Sequence, residues 1–304
     1  MGRSDRARSF GGPLEVTVIS ILLTPLLLAA GAPLSFEGAA ELFEKGRVST
    51  ATATEIRIAF SPDGTRMLWG TIGREGGAGG WDLWESKKGA SGWSDPVAVP
   101  FNSPQNDFDP FVGADGVYFF SNRPGGAGGD DLYFAPFDAA AGTYGAARNL
   151  GPAVNTPGDE WAPTLSADGV TLLFASDGRG GMGLHDLFTS RRGGEGWTAP
   201  VPVKALNSAQ DDFDAAFLHD GRSVVFARRG RDEDGASLYA ALWRNGAYTA
   251  PQKLGPAVNA PEAWNIGPAI NPREPGVLYF SSARPEAAAG RMDIYRIKYA
   301  LEAK

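Results

Sequence analysis

Ser61-Pro62-Asp63-Gly64-Thr65 runs directly into Met67-Leu68-Trp69, and beyond the loop Gly76-Gly77-Ala78-Gly79-Gly80 comes Asp82-Leu83-Trp84. This stretch decides the fold. Asp-Gly between two apolar runs marks a tight hairpin, because glycine takes positive φ at no steric cost. The dipeptide returns at Asp115-Gly116, Asp168-Gly169 and Asp220-Gly221, a period of about 52 residues. A fifth turn of altered sequence, Asn271-Pro272-Arg273-Glu274, falls where that period places it. An apolar run follows each turn: Val117-Tyr118-Phe119-Phe120, Thr171-Leu172-Leu173-Phe174, Ser223-Val224-Val225-Phe226 and Val277-Leu278-Tyr279-Phe280. A second run follows the loop: Asp131-Leu132-Tyr133, Asp186-Leu187-Phe188, Ser237-Leu238-Tyr239 and Asp293-Ile294-Tyr295. Trp93, Tyr144, Trp197 and Tyr248 open a further segment, and Asn102, Asn155, Asn207 and Asn259 close it.

Each unit therefore reads as four short strands, and the chain as an all-β, five-bladed β-propeller of four-stranded antiparallel blades. The only candidate helix is the short stretch Phe36 to Lys45. The fifth unit reaches Lys304 after its third strand, whereas Leu42 to Ser49, ahead of the first unit, reads as a fourth strand. The expected solution is a ring in which this N-terminal strand completes the last blade and leaves no open edge.

Ahead of the repeats stand Arg3, Arg6 and Arg8, the apolar run Val16 to Ala30, and the small residues Ala29, Ala30, Gly31 and Ala32. Basic, apolar and small-residue regions in that order make residues 1–35 a signal peptide, cut between Ala30 and Phe36. The run is shorter than the roughly 20 residues of a membrane span, so no stable span is expected after cleavage. The propeller is assigned to residues 36–304 and expected to be monomeric, periplasmic or secreted. The 304 residues hold no cysteine, which excludes a lipid-anchored N-terminus, disulfides and thiolate zinc sites. A formal charge of −7 argues against a nucleic-acid partner. With only two histidines, His185 and His219, a multi-histidine metal centre is not expected. The sequence leaves open whether a structural cation is present.

The Ser61-Pro62-Asp63-Gly64-Thr65 and Ser166-Ala167-Asp168-Gly169 turns, with their downstream Asp-Leu-aromatic runs, resemble the WD40-like PD40 repeats of TolB-type propellers. The resemblance covers residues of roughly 40 to 300. TolB itself has six blades and a further N-terminal domain. What the resemblance implies is an exported binding platform without a cofactor, whose partner is an envelope protein, a peptide or a glycan.

Eight residues before each turn Asp stand Glu55, Asp107, Glu160 and Asp212, with Asn265 at the fifth repeat. They fall at the start of each first strand, which lines the channel of a propeller. A ring of carboxylates would make that mouth electronegative and suit a cation or polar ligand. Alternatively, each pairs with an arginine such as Arg123, Arg179 or Arg284, or caps backbone amides. Asp109 and Asp214 share a neighbouring position with Arg57 and Ala162. Trp161 and Trp264 break the repeat, and indole beside carboxylates suits sugar or peptide binding; packing between blades is the other reading. No catalytic residue is assigned. An alternative function is glycan hydrolysis by a pair drawn from Asp107, Glu160 and Asp212. Gly178-Arg179-Gly180-Gly181-Met182-Gly183 fits G-x-G-x-x-G but leads into a strand, so it is not a dinucleotide loop. Asp82, Asp131, Asp186 and Asp293 are expected to bond turn backbone, and His185 to be a solvated loop residue.

Overall fold

Three of the four Asp-Gly turns close through the aspartate carboxylate, and the Asp115-Gly116 turn closes by the Gly113 amide on the Gly116 carbonyl at 2.8 Å. Asp63 Oδ1 accepts the Thr65 amide at 3.0 Å, and Gly64 takes φ +69°. Asp168 accepts the Val170 amide at 3.0 Å, and Asp220 accepts that of Arg222 at 3.0 Å. In the fifth turn Asn271 Oδ1 takes over, accepting the Arg273 amide at 3.0 Å. The computed structural model describes residues 33–194, 196–231, 233–285 and 291–301. Most of the segment read as a signal peptide lies outside them.

Five antiparallel blades result, with a separate two-stranded ribbon pairing Trp243–Arg244 with Ala247–Tyr248. From the axis outward, blade one runs Thr54–Phe60, Arg66–Ile72, Asp82–Gly89 and Val97–Ala98. Blade two runs Asp107–Val112, Gly116–Ser121, Asp131–Asp138 and Arg148–Asn149. Blade three runs Glu160–Leu165, Thr171–Ser176, Asp186–Gly193 and Val201–Pro202. Blade four runs Asp211–Phe217, Val224–Arg229, Ser237–Ala241 and Gln252–Lys253. Blade five runs Asn265–Ile270, Val277–Ser282 and Asp293–Leu301, and its outer strand is Leu34–Leu42 from the N-terminal end.

The ring thus closes with an N-terminal strand, but not the one read from the sequence. Leu34 pairs with Leu301 and Leu42 with Tyr295, with a register shift between Glu37 and Glu41. Phe36 to Lys45 is strand and turn rather than helix. The strand also starts two residues inside the segment assigned to the signal peptide. Leu42 to Ser49 still reaches blade five, through Leu42, the Phe43 amide that donates to the Ile294 carbonyl at 2.8 Å, and Ser49. In blades one to four an Asn side chain clamps both backbone groups of a third-strand leucine. Asn102 does so at Leu83, Asn155 at Leu132, Asn207 at Leu187 and Asn259 at Leu238. Ser49 Oγ makes the equivalent pair of bonds to Ile294, at 3.1 and 3.2 Å.

Second strands are buried on both faces, so they read as unbroken apolar runs. Alternate side chains serve opposite neighbours. Leu68 packs with Phe119 of blade two, and Trp69 with Tyr279 of blade five. Tyr118 and Phe120 pack with Leu172 and Phe174 of blade three. Full burial of each such side chain contributes about 1.5–3 kcal/mol, which makes the interblade seams the core.

Every inner strand carries one bulge at the same place. The bulged residues are Arg57, Asp109, Ala162, Asp214 and Gly267, all left-handed, with φ between 43° and 57°. The extra residue bends the strand and re-aims its side chain, which brings five positions together on the axis.

Candidate functional site

The carboxylate ring occupies the start of each inner strand but does not open into the channel. Glu55, Asp107, Glu160, Asp212 and Asn265 are all 0% exposed. Each closes a loop of its own repeat. Thr50 donates its amide and hydroxyl to Glu55, Thr156 to Glu160, and Ser208 to Asp212. Ser103 does the same at Asp107, and Asn265 accepts the Ala260 amide. Arg123 pairs with Asp107 at 2.5 Å and Arg228 with Asp212 at 2.5 Å. Each arginine also donates to the carbonyl of the preceding connection, at Phe101 and Leu206, and lies over its own blade's aromatics. Arg179 and Arg284 bond Val154 and Val258 in the same way. Burial pushes the Glu55 carboxyl up to about 7, and raises Glu160 and Asp212. This geometry is that of a latch between consecutive blades.

The axis holds a second polar group that composition alone did not reveal. Arg57, Asp109 and Asp214 are 2%, 4% and 3% exposed. Arg57 Nη1 stands 3.7 Å from Asp214 Oδ1, and Nη2 donates to the Ala215 carbonyl at 3.1 Å. Asp214 also accepts the Gly267 amide at 2.9 Å. Burial, and the Asp214 charge beside it, hold the Asp109 carboxyl far above the usual carboxylate range. Burial raises Asp214 as well, but Arg57 and the Gly267 amide oppose that rise, so Asp109 is the member of the pair that the site favours in its protonated form. The three side chains plug the middle of the channel.

On the turn side of this plug lies a cavity of about 670 Å³ with Arg57 at its floor. Ala59, Thr164, Ala216 and Ala269 hold equivalent places in its wall and are small; Phe111 holds the fifth. Phe60, Leu165, Phe217 and Ile270 continue the apolar wall, and Arg192, His219, Asp115 and Asp168 stand around it. No sequence motif pointed here, because the lining residues sit one per repeat.

The opposite, loop face carries the two tryptophans. Trp161 donates its indole N–H to Asp130 at 2.9 Å and stacks on His185 at 3.8 Å. Trp264 lies under Arg229, 5.4 Å from the guanidinium. The Trp161 N–H is thus spent on Asp130 and not on a latch carboxylate. His185 is not solvated: it is 7% exposed, and its Nδ1 stands 2.8 Å from Asp211 Oδ1. Burial opposes ionisation of Asp211, but the bonds from His185 hold its carboxyl below the usual range. Asp82, Asp131 and Asp186 do bond turn amides, at Gly79, Ala127 and Met182.

No family model and no curated protein matches the chain. Solved structures do. An endo-arabinase from Bacteroides thetaiotaomicron is 11% identical, with a TM-score of 0.54, covering 88% of this chain and 99% of that one. A TolB-type protein from Agrobacterium tumefaciens is 15% identical, with a TM-score of 0.47, covering 76% and 71%. An α-L-arabinofuranosidase from Podospora anserina is 12% identical, with a TM-score of 0.49, covering 88% and 97%. What the arabinase shares is the fold. Among the described residues no helix is long and apolar enough to cross a membrane.

Proposed function

We propose that the protein is an exported, non-catalytic propeller of the TolB-like repeat type, and that it captures a polypeptide segment in the axial cavity of its turn face. The observation that carries this reading is the cavity itself. It lies within the roughly 300–1,000 Å³ of ligand sites, and its wall is mostly apolar between Arg57 at the floor and the polar side chains around it. A sugar would need polar partners along that wall, whereas an apolar peptide side chain needs only space, and the small residues at the Ala59 position supply it. The basic and apolar leader supports export to the periplasm or beyond.

Glycan hydrolysis is the second reading, favoured only by the shared fold, and one scaffold hosts many functions. Glycosidases set two carboxyl groups on either side of a sugar. Asp107, Glu160 and Asp212 are fully buried and hydrogen-bonded, which supports binding over hydrolysis.

The test is selection of displayed peptides on the immobilised chain, repeated with Phe111→Asp and Ala269→Phe after each variant's fold is checked by melting. Peptides rich in large apolar residues should be retained by the wild type and lost by both variants. Retention unchanged in both would overturn the cavity as the site. Release of reducing ends from linear arabinan by the wild type would overturn the non-catalytic assignment.

A further inference from the structure

The repeat allows each blade to be read against its neighbours, and blade three departs from blade two on the loop face. In blade two, Asn106 Oδ1 accepts the Trp81 amide at 3.1 Å, and Asn122 Oδ1 accepts the Asn106 amide at 3.0 Å. Blade three makes the same two bonds with acids. Asp159 Oδ1 accepts the Asp130 amide at 2.8 Å, and Asp177 Oδ1 accepts the Asp159 amide at 2.8 Å. Architecture needs only the Oδ1 acceptor, which asparagine provides. The two charges, and the second oxygen of each carboxylate, exceed that need.

His185 supplies the third group. One of its ring nitrogens and one carboxylate oxygen each from Asp159 and Asp177 lie within 4.8 Å of one another. Asp211 engages Nδ1, while Nε2 is buried with no hydrogen-bond partner. A buried imidazole nitrogen left without a partner is destabilising, so this arrangement asks for a ligand. Trp161 stacks on the ring and sets its plane. A carboxylate on one imidazole nitrogen, fixing the tautomer so that the other faces a cation, is the usual support of a metal-binding histidine.

We propose that Asp159, Asp177 and His185 Nε2 bind a divalent transition-metal ion of the zinc type, with Asp211 as the positioning residue. Imidazole nitrogen favours zinc-like ions over calcium and magnesium, which prefer all-oxygen shells. Zinc bonds of about 2.0–2.2 Å place tetrahedral ligands roughly 3.4 Å apart, so the three side chains draw in on binding. Three protein ligands leave a fourth tetrahedral position for water or a partner's carboxylate.

The probe is zinc alone, titrated calorimetrically into tag-free wild type and into the double variant Asp159→Asn/Asp177→Asn. Blade two shows that asparagine preserves the fold at these positions, so the double variant should melt normally without metal. Zinc affinity should fall at least about 100-fold in it, and comparably in His185→Gln. His219→Gln, the other histidine, should bind as the wild type does. Calcium and magnesium should bind more weakly than zinc. Equal zinc affinity in wild type and double variant overturns the site, as does wild type that takes up no zinc at millimolar concentration. If His185→Gln alone fails to fold, the double variant still decides.

Discussion

At the scale of single residues, the axis turns on which of two aspartates carries the proton. Asp109 and Asp214 occupy the same bulge position in different blades, with φ of 51° each. Asparagine tolerates that left-handed backbone nearly as well as aspartate. Their charges are not equivalent, because Asp214 makes the ion pair with Arg57 and accepts the Gly267 amide. Asp109→Asn replaces a neutral donor with a neutral donor, and should change stability by less than about 1 kcal/mol. Asp214→Asn leaves Arg57 buried without a counter-charge, and should cost about 3–5 kcal/mol. Chemical denaturation of the two variants checks the difference; equal losses would sink the assignment.

At the scale of the element, the shared bulge imposes one backbone on five residues of four types. Gly267 is the one without a side chain, and a Cβ there would meet the Arg57 backbone nitrogen at 3.1 Å. Its φ of +57° also disfavours any β-carbon. Gly267→Ala should therefore lower stability by about 1–2 kcal/mol or more, read as a fall in melting temperature. The bulge was not legible in the sequence, because Arg, Asp, Ala, Asp and Gly share no chemistry. The turns, the apolar runs and the period were legible, since each repeat must satisfy the same local geometry. The closing strand was misplaced for a related reason. Gly38, with φ +75°, lies inside the register shift between Glu37 and Glu41, so alternation across Leu34–Leu42 is broken and the segment resembles a short amphipathic helix. The clamp by Ser49 hid behind a change of residue type. The carboxylates were found by their spacing, but their burial depends on Thr50, Ser103, Thr156 and Ser208, whose role only the folded loops reveal. His185 gave no local sign of its partner, which lies in the next blade.

At the scale of the whole molecule, the buried carboxyls set how stability varies with pH. Burial raises Glu55 to about 7, and also raises Asp82, Asp109, Asp130, Glu160, Asp212 and Asp214. A carboxyl whose folded pKa exceeds its unfolded value takes up a proton on folding. Its contribution is fully present below the unfolded pKa and is lost as pH rises through the folded one. Asp63, held down to about 2 by its bond from Ser61, acts in the opposite sense but only below the carboxylate range. The melting temperature should therefore rise as pH falls from about 8 to about 5. Glu55→Gln should flatten the part of that slope between 4.5 and about 7. A melting temperature that falls over this range would contradict the burial of these groups. Removing Leu34–Leu42 should also lower the melting temperature of the entire ring, since it exposes the third strand of blade five.

That seam has a kinetic side. Blades one to four are built from hairpins between neighbours in sequence, but blade five waits for Leu34 to find Leu301, nearly the full length of the chain apart. Such a contact forms late, because the entropy of closing so large a loop precedes any gain from it. In refolding followed by pulsed hydrogen exchange, amides of 34–42 and 293–301 should be the last to gain protection. Until then the molecule is an open arc with an unpaired strand at its end, and that exposure lasts until 293–301 has been made and has met 34–42.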